Sequence, residues 1–215
     1  MINIILKKLK KNSSSEEKKI KKSGLRLASK FEKNNNTSNS KLKLDLGSGD
    51  QKRPGFIGID LNPKADLQWD LRWGLPFGDN SVDEIRSDHF FEHLELTKVV
   101  ELLKEGYRVL KKGGKLDFSV PHIDPYIDAY LKRDFEFLQE KIFDTPKTEI
   151  SIYNTCFDKI SWLLYRSGEH KSCFDKESII DKVKLAGFKN INTREFDPKI
   201  DIQKRYSSIY IVAIK

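Results

Sequence analysis

Leucines alternate with polar residues over residues 42–46 and predict a first β-strand. This strand ends at the turn Gly47-Ser48-Gly49, and a Pro54-Gly55 turn leads into a second apolar run at residues 56–59. A third short segment follows at residues 65–70. The pattern therefore predicts three short strands joined by turns, with too few residues for a full helix after the first strand.

Helical periodicity begins after these strands. Residues 97–112 place Val99, Leu102, Leu103 and Leu110 on one side of a predicted helix, which Gly113-Gly114 should end. A further strand is predicted at residues 116–120.

The end of the chain repeats this alternation. Asp175 is the predicted N-cap of a helix that Gly187 ends, and the last two strands are predicted at about residues 190–196 and 208–214. Short strands that alternate with helices predict an α/β fold with a mostly parallel sheet.

Residues 1–40 differ from the rest of the chain in charge. They hold eleven Lys or Arg against three Glu, which equals the whole net charge of +8, so residues 41–215 are balanced. Serine, lysine and asparagine runs from about residue 11 predict a basic, largely disordered tail before a folded domain at residues 41–215. Residues 1–10 predict a frayed terminus or, alternatively, a weak peripheral contact with an anionic membrane. The neutral domain disfavours nucleic acid as a partner.

The location that the sequence predicts is cytoplasmic. Cys156 and Cys173 are too few for a disulfide framework, and no apolar run resembles a signal peptide or reaches the length of a membrane span.

The glycine turn and Asp60 form a candidate cofactor site. Glycine lets a ligand approach the backbone closely, and an acid at the end of the next strand can accept both hydroxyls of a ribose. A dinucleotide site would need a third glycine, where this chain has Lys52, and a helix beneath the pyrophosphate. The pattern therefore favours a nucleoside cofactor without phosphates over NAD, with a simple turn between core strands as the alternative.

Four segments resemble class I S-adenosylmethionine-dependent methyltransferases, in the order that this family has them. They are residues 44–49 (LDLGSG), 75–85 (LPFGDNSVDEI), 87–94 (SDHFFEHL) and 107–116 (YRVLKKGGKL). One departure is Lys112, where proline is usual in the family. The resemblance covers residues 41–121 and is nearest to short methyltransferases of type 11, which are often linked to cell-surface polysaccharides.

The resemblance implies a Rossmann-like methyltransferase sheet with an antiparallel C-terminal edge hairpin, and S-adenosylmethionine as cofactor. It implies that Asp45 orients the methionine amine, that Gly47 and Gly49 line the methionine part, and that Asp60 holds the ribose. The further cofactor contacts that it implies are Leu61, Asp70 and Leu71, of which Asp70 and Leu71 lie beside the adenine, and Asp88 or His89 at the pocket floor.

Residues 121–172 follow the fifth strand and carry aromatic side chains at helical spacing, such as Tyr126, Tyr130 and Phe137. Ligands of open α/β sheets bind beyond the carboxyl ends of the strands. The segment therefore predicts a cap on the acceptor side of the site, with a helical buttress as the alternative.

Histidines are the candidates for the chemistry of methyl transfer. A hydroxyl acceptor needs alignment with the methyl group and a base within reach, and histidine has a suitable pKa. His93 and His122 are the preferred bases and His170 the third, although each could be a structural or surface histidine. His89 and His93 are spaced like metal ligands, but no motif fixes a third ligand, so no metal site is predicted.

The sequence thus predicts a methyltransferase that O-methylates a small polar molecule or a saccharide. One alternative is a non-catalytic scaffold that keeps the fold and binds the cofactor or a protein partner. A nucleotide-dependent sugar-modifying enzyme is less favoured, because the dinucleotide motif is incomplete.

Overall fold

Seven strands form one mixed sheet in the computed structural model, which describes residues 2–38, 40–142, 152–201 and 204–215. The strands are β1 (Lys43–Leu46), β2 (Ile57–Asp60), β3 (Leu67–Gln68), β4 (Val82–Asp88), β5 (Leu110–Pro121), β6 (Asn190–Arg194) and β7 (Ser208–Ile214). Their order across the sheet is β3-β2-β1-β4-β5-β7-β6. The first five are parallel, and β7 is antiparallel to β5 and β6. The predicted sheet with its antiparallel C-terminal hairpin is confirmed.

Helices cover one face of this sheet. In the described ranges the α-helices are α1 (Ile2–Ser38), α2 (Leu96–Val109), α3 (Asp124–Leu131), α4 (Phe135–Ile142), α5 (Cys156–Tyr165) and α6 (Lys176–Leu185). Helices α2 and α6 contact each other and the sheet, and Gly106 of α2 lies directly over Ile85. Asp175 is the N-cap of α6, as predicted, because its carboxylate accepts a hydrogen bond from the Ser178 amide.

Helix α2 ends earlier than the sequence predicts. Gly113 and Gly114 lie inside β5 instead of ending a helix at Lys112. Leu110 is fully buried and pairs with Val82 of β4, so strand pairing takes over directly after Val109. Local glycine signals are overridden here by tertiary contact.

The opposite face of the sheet has no helix between its first strands. Residues 47–56 join β1 to β2, and residues 61–66 join β2 to β3, as turns alone. On this face two rows of alternating charge cross β1, β4 and β5. In the first row, Lys43 and Lys115 both bind Glu84, at 2.9 and 2.8 Å. Such cross-strand pairs each contribute about 0.2–1 kcal/mol.

The second row of charges is buried. Asp45, Arg86 and Asp117 lie opposite one another in register on β1, β4 and β5, and an Arg86 nitrogen is 3.2 Å from an Asp117 oxygen. Arg194 of β6 joins Asp117 to Asp201 at 2.8 and 2.6 Å. The segment that follows β6 therefore covers this row with the Asp201 carboxylate. Each buried charge in the row has a partner of opposite sign.

The predicted disordered tail is instead helical in the structure, as α1. One of its faces, with Gly24 and Ala28 buried and Leu27 and Phe31 half-buried, packs against the core beside β3. This spacing of three and four residues is that of an amphipathic helix. The polar composition of this segment predicts disorder, and the apolar stripe is too weak to indicate a docked helix by itself. The surface of the domain on which the stripe packs is not visible in the sequence.

Helices α3, α4 and α5 contact one another and form a small lobe. Its core holds Tyr126, Ala129, Leu138, Cys156 and Ile160, separate from the main core. The predicted helical character of this segment is confirmed, whereas its role as an acceptor cap stays a prediction. No helix in the described ranges is long and apolar enough to cross a membrane.

Docking of α1 is tested by Gly24→Leu. A Cβ at Gly24 would lie 2.5 Å from Trp69, so the substitution should lower the free energy of unfolding by about 1–3 kcal/mol despite its better helix propensity. Ser23→Leu, at an exposed neighbour, is the matched control and should change it by less than about 0.5 kcal/mol. Urea unfolding measures both, and equal effects would contradict the docking.

Candidate functional site

The turn after β1 is shaped by two glycines with positive φ. Gly47 has φ of +71°, donates to the Ile59 carbonyl at 2.9 Å, and lies against the ring of Phe90, where a Cβ would come within 2.3 Å. Gly49 has φ of +60° and faces open space. The first glycine is therefore required by packing and conformation together, whereas the second leaves room beside the backbone.

Asp60 fixes this turn from the end of β2. Its Oδ2 accepts a hydrogen bond from the Gly49 amide at 2.9 Å, and its Oδ1 accepts one from the Asn62 amide at 2.8 Å. A carboxylate oxygen has two lone-pair sites, so each oxygen can still accept a bond from a ligand hydroxyl. Asp60 thus holds the glycine turn and presents an acceptor surface at the same time.

A pocket of about 240 Å³ lies beside Asp60. Four of the predicted cofactor residues line it, namely Asp60, Leu61, Asp70 and Leu71. The predicted base His93 lines it as well, together with the aromatic rings of Trp69 and Phe90. The pocket thus combines a carboxylate edge with apolar walls, as a nucleoside requires.

Asp70 is held by Arg72. The Asp70 carboxylate accepts bonds from the Arg72 backbone amide at 2.9 Å and from its guanidinium at 2.6 Å. Burial raises the pKa of Asp70, but the hydrogen bonds from Arg72 outweigh burial and leave this pKa below its usual value. The carboxylate is therefore ionised at neutral pH, with Arg72 beside it at the pocket wall.

Asp45 lies at the end of β1 beneath the turn. It is buried and accepts a bond from the Arg53 guanidinium at 3.2 Å. Burial raises the pKa of Asp45 above its usual value, although Arg53 and Arg86 oppose this. Asp45, Gly47 and Gly49 do not line the pocket beside Asp60, but they adjoin it through Phe90 and the turn.

Asp88 is the last residue of β4 and His89 follows it, and neither lines the pocket. Asp88 accepts a hydrogen bond from the Ser119 hydroxyl. His89 has φ of +50°, its Nε2 lies 2.8 Å from the Ser208 hydroxyl, and its Nδ1 lies 3.3 Å from Glu92. In this geometry both residues connect β4 to β5 and β7, and neither lines the pocket floor.

A second, smaller cavity of about 20 Å³ lies between the sheet and the helical lobe. His122 lines it, with its Nε2 at 3.0 Å from an Asp124 carboxylate oxygen, and so do Tyr126, Glu92 and His170. This volume is enough for one water molecule. Because Glu92 lines this cavity and His93 lines the larger pocket, the turn that carries both separates the two spaces.

Burial lowers the pKa of His170 below its usual value, so the ring is neutral at pH 7. The sequence missed four residues at the pocket, Trp69, Arg72, Phe90 and Leu94. Phe90 lies in the segment that resembles the methyltransferase family, and this resemblance was the one signal for it in the sequence.

Comparison with known proteins agrees with this geometry. Residues 55–118 match the family model of a methyltransferase domain. A SAM-dependent methyltransferase from Archaeoglobus fulgidus superposes with a TM-score of 0.50 at 15% identity, over 82% of this chain and 86% of that chain. An S-adenosylmethionine-dependent methyltransferase from Mesorhizobium loti has a TM-score of 0.50 at 16% identity, over 81% and 90%. The chain thus has the fold of the class I methyltransferases.

A third solved structure is phosphoethanolamine N-methyltransferase 2 from Haemonchus contortus, in complex with phosphomonomethylethanolamine and S-adenosylhomocysteine. It has a TM-score of 0.50 at 16% identity, and the match covers 82% of this chain but only 49% of that chain. No curated protein matches the sequence. The predicted resemblance to S-adenosylmethionine-dependent methyltransferases is confirmed by the family model over residues 55–118 and by the fold.

Contact between Phe90 and the turn is tested by alanine at each glycine. Both substitutions place a side chain at positive φ, which costs about 1–2 kcal/mol. Gly47→Ala should cost about 1–3 kcal/mol more than its matched control Gly49→Ala, because only Gly47 faces Phe90. Urea unfolding gives both values, and equal losses would show that Phe90 does not pack on the turn.

Proposed function

We propose that this protein transfers a methyl group from S-adenosylmethionine to an oxygen of a small polar molecule or saccharide. One observation carries the proposal. Asp60 holds the glycine turn through the Gly49 amide and borders the 240 Å³ pocket, where it can accept the two hydroxyls of a ribose.

In this proposal the adenosine occupies the larger pocket. Asp60 holds the ribose, Leu61, Asp70 and Leu71 contact the adenosine, and Trp69 adds an aromatic wall. The methionine part lies toward the turn, where Gly49 leaves the backbone accessible, Gly47 shapes the turn against Phe90 and Asp45 orients the amine. Asp88 and His89 act indirectly, by fixing the end of β4 beneath this site.

The loop after the glycine turn favours this cofactor over a dinucleotide. A pyrophosphate is usually bound by the amides of a helix N-terminus, and residues 47–56 contain no helix. Lys52 is also bound to Asp66 at 2.6 Å, so its charge is already paired. A sulfonium cofactor needs neither feature.

The reaction moves a methyl group and a proton, and one bond forms and one breaks for each. An acceptor oxygen attacks the methyl carbon, the carbon–sulfur bond breaks with its electron pair on sulfur, and the acceptor proton passes to a base. His122 can receive this proton, because Asp124 stabilises the charged ring. His93 is the second candidate, since its Nδ1 donates to the Glu169 carbonyl at 3.1 Å and its Nε2 is then the basic nitrogen.

The acceptor reaches this site from the side of the helical lobe in our proposal, with residues 121–172 as its cap. A weak membrane contact through residues 1–10 stays a prediction.

Titration of S-adenosylhomocysteine into the full chain by calorimetry tests the cofactor site. Asp60→Ala should weaken binding about 10–100-fold, since hydrogen bonds to a charged group contribute about 1.5–3 kcal/mol. Asp66→Ala is the matched control. It also removes a carboxylate that accepts a backbone amide, from Gly58 at 3.0 Å, but it lies outside the pocket lining and should keep binding within about twofold.

Three outcomes would contradict the proposal. NAD binding in place of S-adenosylhomocysteine would support the sugar-modifying alternative. Absence of S-adenosylhomocysteine binding in folded wild-type protein, checked by circular dichroism, would leave a scaffold that kept only the fold. Cofactor binding without methyl transfer to any acceptor would support the scaffold that retains its cofactor.

A further inference from the structure

Three side chains with metal-binding chemistry meet where the lobe joins the sheet. Glu92 and His93 lie in the 3-10 turn Phe91–His93 after β4, and His170 lies between α5 and α6. One oxygen of Glu92 and one nitrogen of each histidine lie within 4.8 Å of one another. The chain brings them together from positions almost eighty residues apart.

Backbone contacts orient both imidazole rings. His93 Nδ1 donates to the Glu169 carbonyl at 3.1 Å, and His170 Nδ1 donates to the Leu163 carbonyl at 3.0 Å. A carbonyl can only accept, so Nδ1 carries the proton and Nε2 presents its lone pair in each neutral ring. Metal-binding histidines are oriented by this kind of bond from the other ring nitrogen.

Two atoms of the cluster are buried without a hydrogen-bond partner. Glu92 is only 2% exposed and His170 only 7% exposed. Within the described residues, neither Glu92 Oε2 nor His170 Nε2 has a hydrogen-bond partner. Burying such groups unpaired is unfavourable. A bound cation would satisfy both acceptors at once.

We propose that Glu92, His93 and His170 bind one divalent transition-metal ion, of the class of Zn²⁺, Mn²⁺ or Co²⁺. Two imidazole nitrogens and one carboxylate are a ligand set typical of these ions, and three protein ligands leave a coordination position open. Ligand atoms about 2.1 Å from an ion lie roughly 3.0–3.5 Å apart, so side-chain rotations must draw the three groups together.

The site differs from the histidine pair that the sequence singles out. His89 uses both nitrogens, toward Glu92 and Ser208, and so is not a ligand. Its bond to Glu92 Oε1 leaves Oε2 for the ion. His170 takes the place of the third ligand that no motif could supply.

The cluster lies between the small cavity and the cofactor pocket. Glu92 and His170 line the small cavity, which His122 also lines, while His93 borders the cofactor pocket. An ion there would bind an acceptor hydroxyl, lower its pKa and hold it next to the methyl group. This use of the ion rests on the proposed function, although metal binding itself does not. With His93 as a ligand, His122 is the base.

Cobalt titration of the chelator-treated full chain tests the site. We expect a visible d–d spectrum that saturates at one Co²⁺ per chain and is displaced by Zn²⁺. Glu92→Gln and His170→Ala should each weaken binding at least tenfold, because each removes a ligand. Cys173→Ser is the matched control, since Cys173 lines the same cavity outside the cluster, and it should bind within about twofold of wild type.

No saturable spectrum in wild-type protein would overturn the proposal, as would unchanged affinity in folded Glu92→Gln and His170→Ala. A spectrum lost in Cys173→Ser would assign the ion to a surface thiol and would also overturn it. S-adenosylhomocysteine binding by the metal-free protein is measured in parallel. It should persist, so that a failure of the metal site and a failure of the cofactor site remain distinct results.

Discussion

Ten residues join β1 to β2, and this short connection determines how the site is built. Parallel strands are normally joined by a dozen or more residues, usually with a helix. Here the chain turns at Gly47 and Gly49, and no helix caps the turn. In place of a helix, Asp60 fixes the turn, because its carboxylate accepts a hydrogen bond from the Gly49 amide. The residue proposed to bind the ribose therefore also maintains the shape of the site.

The same connection leaves one sheet face without crossover helices. Covering a polar sheet face with apolar side chains would be unfavourable. On this face β1, β4 and β5 carry rows of opposite charges that pair with one another. The row of Asp45, Arg86 and Asp117 is buried beneath the segment that carries Asp201, and Arg53 from the short connection joins it. Pairing is what makes this burial tolerable, since a single unpartnered charge there would be strongly destabilising.

Much of the fold could be predicted from local patterns. Alternating leucines identified β1, the Asp175 cap located α6, and the family resemblance implied the hairpin of β6 and β7. Tertiary contact explains the errors. The apolar stripe of α1 can be explained only by its packing beside Trp69. Gly113 is held in β5 because its amide donates a hydrogen bond to the Lys215 carbonyl, at 2.9 Å.

The site divides in the same way. Asp60, Leu61, Asp70 and Leu71 were found because the family resemblance orders them along the chain, and all four line one pocket. His170 could not be joined to Glu92 and His93, because no spacing links them before the chain folds. Side chains on distant segments carry no shared pattern in a single sequence.

A crystal structure of the full chain with S-adenosylhomocysteine tests the central claim most directly. The account predicts the ribose hydroxyls within hydrogen-bond distance of the Asp60 carboxylate, with the adenine between Leu71 and Trp69 and the homocysteine at the glycine turn. A ligand bound elsewhere, or a ribose that does not contact Asp60, would contradict it.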